Sequence, residues 1–435
     1  MPPGQAYRGH NQPMMMTTSP SNQSHTIGKN PEIEVLLSCA RIHIPPSTAE
    51  HIQSLLKQPF QWDYLIDLAK FHKVIPLLAQ TLNRVCPDLV PKSTLDQLQT
   101  LVYANTCQNL FLTQELLHIL KLFEQRGIPA ISFKGPTLAL AAYGSLSLRQ
   151  IGDLDLLLPK DAIKPAQELL IAEGYQLTGN YEWEFHFTRM DGHVHIDLHQ
   201  EIAPIIYKLP FHFEDLWSRV NPITLGGMTI PHLQTEDLLL LLSLVWFRDC
   251  VYLNSHLSLH LLSDVDALLQ KHPSFDWNWI LNQAYSQGCD RILKLMLLSA
   301  QTLLGTNLPP AALDSLQSKP LPSSLIQSVK SRLFEDPSTS LLLENPGFWE
   351  SIWAYDHRFY LQSRERLHDR IFYCLTWLRM CIHTALTPNE GDFNLFALPK
   401  FLFFLYYPLH LIRLIVKYSR KILSLIMIRE KHQSI

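Results

Sequence analysis

From Pro31 to about Gln125 the apolar residues recur every three or four positions, the spacing that gathers them on one face of an α-helix. Between Trp62 and Leu82 the stripe is Leu65, Leu68 and Ala69, resumed by Leu77 and Leu78 after Pro76. A longer stripe from about Ser93 to Gln125 includes Leu98, Leu112, Leu116 and Leu120, and Gly127 suits the left-handed position that closes a helix. Ser47-Thr48-Ala49-Glu50 has the form of a capping box and predicts another helix start. Residues 1–30 are Pro, Gln, Ser, Asn, Met and Gly with almost no aliphatic side chain, a composition that predicts a disordered tail.

After Gly127 the period shortens. Ile128 to Phe133 is a short apolar run that reads as a strand, and Gly135-Pro136 opens a helix through Tyr143, with Pro at its favoured first position. Asp153 to Leu158 predicts a second strand, with a helix at about 161–173 after it. Gly174-Tyr175 starts a third strand, and Glu182–Thr188 and His193–His199 predict two more, joined by a turn at Met190-Asp191-Gly192. Beyond Pro231 the helical period returns, at 235–247, 256–271, 277–305, 322–335, 347–356, 365–386 and 398–428. The fold class is therefore α+β, a small mixed-sheet core flanked by helical N- and C-terminal regions. The divisions are a tail at 1–30, a helical region at 31–127, the α/β core at 128–230, a helical domain at 231–395 and a basic apolar C-terminal helix at 396–435.

Composition agrees. Of the 435 residues, 47% are apolar or aromatic and only 17% charged, and the 36 basic and 39 acidic side chains leave a net charge of −3. A disordered polyelectrolyte is excluded, and there is no strong nucleic-acid signal. The seven cysteines include no Cys-x-x-Cys pair, which points to neither a disulfide framework nor a zinc ribbon. With no positive segment followed by an apolar core at the start, the expected location is the cytoplasm.

The candidate chemistry sits on the two strands with acids. Alternation places Asp153 and Asp155 on one strand face and Leu154 and Leu156 on the other. Two carboxylates so placed repel, and a divalent cation between them relieves the repulsion; an oxygen-rich site suits Mg²⁺ or Mn²⁺. In His193-Val194-His195-Ile196-Asp197-Leu198-His199 the apolar residues face a core while Asp197 and the three His face outward or into a cleft. If the two strands are neighbours, Asp197 adds a third carboxylate; a zinc site from the His row is the alternative, although alternate residues of one strand stand about 7 Å apart. Lys134-Gly135 lies where a strand meets a helix start, a place that binds phosphate, with Lys134 and Arg149 as added charge; a plain strand–helix turn is the competing account. His256, His260 and Asp264 share a helix face, a spacing that metal ligands also use, and are read as hydrogen-bonded groups near the core or at the cleft rim.

Taken together, Phe133-Lys134-Gly135, Leu138 to Tyr143, Arg149, Asp153-Leu154-Asp155-Leu156-Leu157, Gly174-Tyr175 and His195-Ile196-Asp197-Leu198-His199 resemble the DNA polymerase beta-like nucleotidyltransferase superfamily. More closely, they resemble the bacterial family described as uncharacterised nucleotidyltransferases, over about 31–425. The resemblance implies transfer of a nucleoside monophosphate from an NTP to an unidentified acceptor. In it Asp153 and Asp155 match the paired metal-binding acids, Asp197 the third acid, and Gly135 the glycine beside the nucleotide phosphates. Two departures bear on nucleotide grip. Pro136 stands where the superfamily has Ser or Gly, removing an N–H donor, and Asp153 follows Gly135 by 18 residues, longer than in minimal members. The alternative is an inactive partner-binding scaffold of the same fold.

The C-terminal segment Phe401 to Ile428 is apolar but interrupted by Pro408, His410, Arg413 and Lys417, too often for a spanning helix. From Lys400 to Lys431 there are seven Lys and Arg against Glu430, so its expected partner is either the domain itself or a membrane surface.

Overall fold

The computed structural model describes residues 30–207, 212–251, 257–318, 320–334, 356–388, 390–393 and 398–413. The described residues fall into two units, one comprising 30–334 with 356–366, the other 367–413. The first unit is α+β and contains a five-stranded mixed sheet. Its strands are β1 (Ile131–Ser132), β2 (Leu154–Leu157), β3 (Tyr175–Asn180), β4 (Glu184–Arg189) and β5 (His195–His199), in the spatial order β1-β2-β5-β4-β3. Only β2 and β5 run parallel; the other pairs are antiparallel.

Alternation along β2 and β5 decides how the sheet packs. Leu154, Leu156, Ile196 and Leu198 are fully buried and join Leu112, Leu116, Ile119 and Phe123 of the long helix Lys92–Gln125 in one core. Each such side chain contributes about 1.5–3 kcal/mol by leaving water, which fixes the register and turns the intervening polar residues to the opposite face. The same long helix reaches the loop before β2. Asn109 Nδ2 donates to the carbonyls of Leu146 (2.6 Å) and Arg149 (2.7 Å), and Asn105 Nδ2 to those of Ser147 (3.3 Å) and Arg149 (3.2 Å).

Several elements differ from expectation, each for a local reason. The helix Pro46–Leu55 starts on Pro46 after an uncapped Pro45, so the Ser47 capping box goes unused. The stripe at 62–82 is divided into Trp62–Phe71 and Ile75–Val85, with Lys73 left-handed at φ 57° between them. The last sheet strand starts at His195, leaving His193 in the turn. Residues 277–305 form two helices, Trp277–Gln287 and Asp290–Leu304, separated by Gly288 at φ 71°. An unforeseen hairpin, β6 (Asn221–Leu225) and β7 (Met228–His232), closes on Gly226-Gly227, whose φ values of 56° and 83° are those of a tight two-residue turn. The helix Pro310–Ser318 was also unforeseen.

In the second unit the helix Leu367–Leu386 is followed by a buried His410–Asp392 pair at 2.6 Å, with Arg413 Nε 2.6 Å from the same carboxylate. The helix expected at 347–356 and the end of the one at 398–428 lie outside the described residues. Among the described residues no helix is long and apolar enough to cross a membrane.

Candidate functional site

The parallel pairing of β2 with β5 sets Asp155 directly beside Asp197. On the other side of Asp197 its cross-strand partner is His186 of β4, and Glu184 is opposite His199. One sheet face therefore carries Asp155, Asp197, His199, Glu184 and His186. Two groups on it have ligand atoms close enough to share a metal ion: Asp155, Asp197 and His199, and Glu184, His186 and Asp197.

These side chains form a continuous chain of contacts from Asp155 to Asp197. His199 Nε2 donates to Asp155 Oδ1 at 3.1 Å, and its Nδ1 lies 3.4 Å from Glu184 Oε2. Glu184 Oε1 accepts from His186 Nε2 at 2.9 Å, and the same nitrogen is 3.9 Å from Asp197. His199 is 1% exposed, with its ring against Phe133 and Trp183. Lys134, the last residue before the helix that begins at Gly135, donates to Asp155 Oδ1 at 2.8 Å.

The electrostatics divide the two acids. Burial pushes the Asp155 carboxyl up, but the Lys134 ammonium and the His199 N–H outweigh it and hold the group well below the usual carboxylate range. Asp197 goes the other way. Burial and then the charge of Asp153 hold its carboxyl well above that range, with Glu184 and Asp155 adding to the effect and His186 opposing it. Asp153 itself is exposed, one residue before β2, outside both groups but close enough to act on Asp197.

The fit to a divalent cation rests on this face. Asp155 Oδ2 is buried without a hydrogen-bond partner among the described residues, and burial with the neighbouring acids disfavours the charged form of Asp197. A hard cation among carboxylate oxygens answers both, and imidazole admits Mn²⁺ or zinc as well. The row His193, His195 and His199 does not act as one ligand set. His193 is in the turn, His195 Nδ1 pairs with Thr188 Oγ1 at 3.1 Å, and of the row only His199 joins a metal-capable group.

Of the residues expected at the phosphates, Lys134 and Gly135 stand beside the acids. Gly135 has φ 59°, and a Cβ there would lie 3.4 Å from the Asp153 carbonyl, so the turn is built against the start of β2. Arg149 is directed elsewhere. Its buried guanidinium grips Asp264, Nε to Oδ1 at 3.0 Å and Nη2 to Oδ2 at 3.1 Å, while the Tyr143 hydroxyl donates to Oδ1 at 2.8 Å. Of the helix face once grouped with Asp264, His256 is outside the described residues and His260 pairs with Ser258.

Sequence reasoning overlooked Glu184 and His186. The signal was present: Glu184, His186 and Thr188 alternate with Phe185 and Phe187 as the acids of β5 alternate with its aliphatics. No curated protein matches the chain. A family model described as uncharacterised nucleotidyltransferase matches residues 58–305, more than half the chain and the whole of this site, and the protein belongs to that family.

Proposed function

We propose that the protein is a divalent-metal-dependent nucleotidyltransferase, moving a nucleoside monophosphate from an NTP to an acceptor whose identity is open. The observation that carries this reading is the pairing of Asp155 with Asp197 on adjacent parallel strands, with the buried Asp155 Oδ2 unpartnered among the described residues. Asp153, Asp155 and Asp197 are the residues to hold Mg²⁺ or Mn²⁺. When bound, the cation supplies charge neutralisation for the phosphates and lowers the proton affinity of its carboxylates. Asp197 takes the proton of the acceptor hydroxyl as that hydroxyl oxygen bonds to the α-phosphorus and the bond to pyrophosphate breaks. Lys134 and Gly135 meet the phosphates, and His199 with Glu184 fixes the orientation of Asp155. Arg149, first expected at the phosphates, is assigned here to holding the loop before β2 through Asp264.

Incorporation of label from each NTP, with Mg²⁺ and a cell extract as acceptor source, tests the reading. Asp155→Asn should reduce it at least about 100-fold, by analogy with the loss of other preorganised charge in an active site, while the melting temperature shows that the fold persists. Undiminished incorporation in that variant would refute the assignment. The scaffold reading draws on two features: Lys134 already neutralises Asp155, and Pro136 removes an N–H from the turn. Calorimetry with Mg²⁺ and each NTP decides between them, since a scaffold binds none.

A further inference from the structure

The helix Trp62–Phe71 ends in a closure that normally calls for glycine. His72 N–H donates to the Leu68 carbonyl at 2.9 Å, Lys73 N–H to Lys70 at 3.1 Å, and Val74 N–H reaches back to Ala69 at 2.9 Å. This six-to-one bond puts Lys73 at φ 57°, and among the described residues it is the only non-glycine with positive φ. A side chain in that conformation costs about 1 kcal/mol that glycine would not.

The strained turn is fixed against the candidate site. Two residues on, the Ile75 N–H donates to Gln150 Oε1 at 3.2 Å, and Gln150 lies in the loop that leads to Asp153. Gly135 packs on that same loop, near the Asp153 carbonyl. Three cations are thereby gathered around one short segment, and two are already engaged: Lys134 by Asp155 and Arg149 by Asp264. The half-buried Lys73 ammonium has no hydrogen-bond or ion-pair partner among the described residues. Their proximity has an electrostatic signature: burial, then the charges of Lys73, Arg149 and Lys134, hold His260 well below its ordinary proton affinity.

We infer that Lys73 is a polyphosphate-binding residue, its ammonium taking the β- and γ-phosphate oxygens of the nucleotide beside the loop that leads to Asp153. The inference rests on the nucleotidyltransferase reading and adds a contact from outside the sheet. It also accounts for a strained lysine where glycine would serve the backbone better.

Lys73→Gly separates the two roles, because it relieves the backbone while removing the charge. Calorimetry with Mg²⁺ and each of ATP, GTP, CTP and UTP, with the matching monophosphates and with pyrophosphate, gives the readout. The variant should keep or raise the melting temperature, yet bind the preferred NTP and pyrophosphate roughly 10- to 100-fold more weakly, the worth of one charge-assisted contact. Monophosphate binding should stay within about 2-fold of wild type, and Lys73→Arg should retain most of the NTP affinity. Equal NTP affinity in wild type and Lys73→Gly overturns the inference and leaves the nucleotidyltransferase reading intact. Parallel loss of mono- and triphosphate binding overturns it too, placing the lysine at the α-phosphate or acceptor. A wild-type chain that binds no NTP removes both readings at once.

Discussion

Replacing Arg149 by Met asks whether that guanidinium belongs to the fold or to the phosphates. The carboxylate of Asp264 is 0% exposed and accepts from Arg149 at 3.0, 3.2 and 3.1 Å and from the Tyr143 hydroxyl at 2.8 Å. Met fills much of the space of the arginine stem but leaves a buried charge with Tyr143 alone. Breaking a buried pair from one side costs about 3–5 kcal/mol. The lower end, about 3 kcal/mol, applies here, because Tyr143 still donates to Asp264 and the Arg149 carbonyl stays held by Asn105 and Asn109. Urea denaturation of the full chain measures the loss. Adding Asp264→Leu to Arg149→Met should recover at least half of it, since the stranded charge is gone. A loss under about 1 kcal/mol, together with weakened NTP binding, would refute the reasoning and return Arg149 to the phosphates.

Three further substitutions, one of them a control, test conformation and protonation. His72 is 0% exposed, neither ring nitrogen has a hydrogen-bond partner among the described residues, and burial pushes its pKa down to about 3. The unfolded chain titrates near 6.5, so stability is complete above that value and is lost as pH falls toward 3; between pH 7 and 5 the loss is about 2 kcal/mol. His72→Phe should flatten this dependence in urea midpoints measured at the two pH values. Gly135→Ala forces a side chain into φ 59° with its Cβ 3.4 Å from the Asp153 carbonyl, at about 1–2 kcal/mol, and should weaken Mg²⁺ binding by displacing Asp153. Gly127→Ala, at φ 67° with nothing within 4 Å, is the control: the same strain in thermal melts with unchanged Mg²⁺ affinity.

Much of this was legible residue by residue because a strand has a period of two. That period identified Asp155, Asp197 and His199 as one polar face and their leucines and isoleucine as the other. What pairs with what was not legible. Asp155 meets Asp197 across a parallel crossover of some forty residues, and Arg149 meets Asp264 across 115 positions, distances over which local pattern carries no signal. Helix breaks were legible only where the usual residue marks them. Gly127 announced itself, whereas Lys73 concealed a left-handed closure because nothing in its type suggests one. The β6–β7 hairpin was not foreseen, although Gly226-Gly227 and the alternation of Ile223, Leu225, Met228 and Ile230 around it carry its signal.

The asparagines at 105 and 109 have a dynamic consequence. Together with the Arg149–Asp264 pair and the bond from Ile75 to Gln150, they tether the loop before β2, and through them the loop takes part of its order from the middle of a 34-residue helix some forty positions upstream. Opening of that helix in native-state hydrogen exchange would loosen the loop in the same event, coupling the two despite their separation in sequence. A lesion in the helix, far from any carboxylate, would then act on the site through the lifetime of its closed state and not through its geometry.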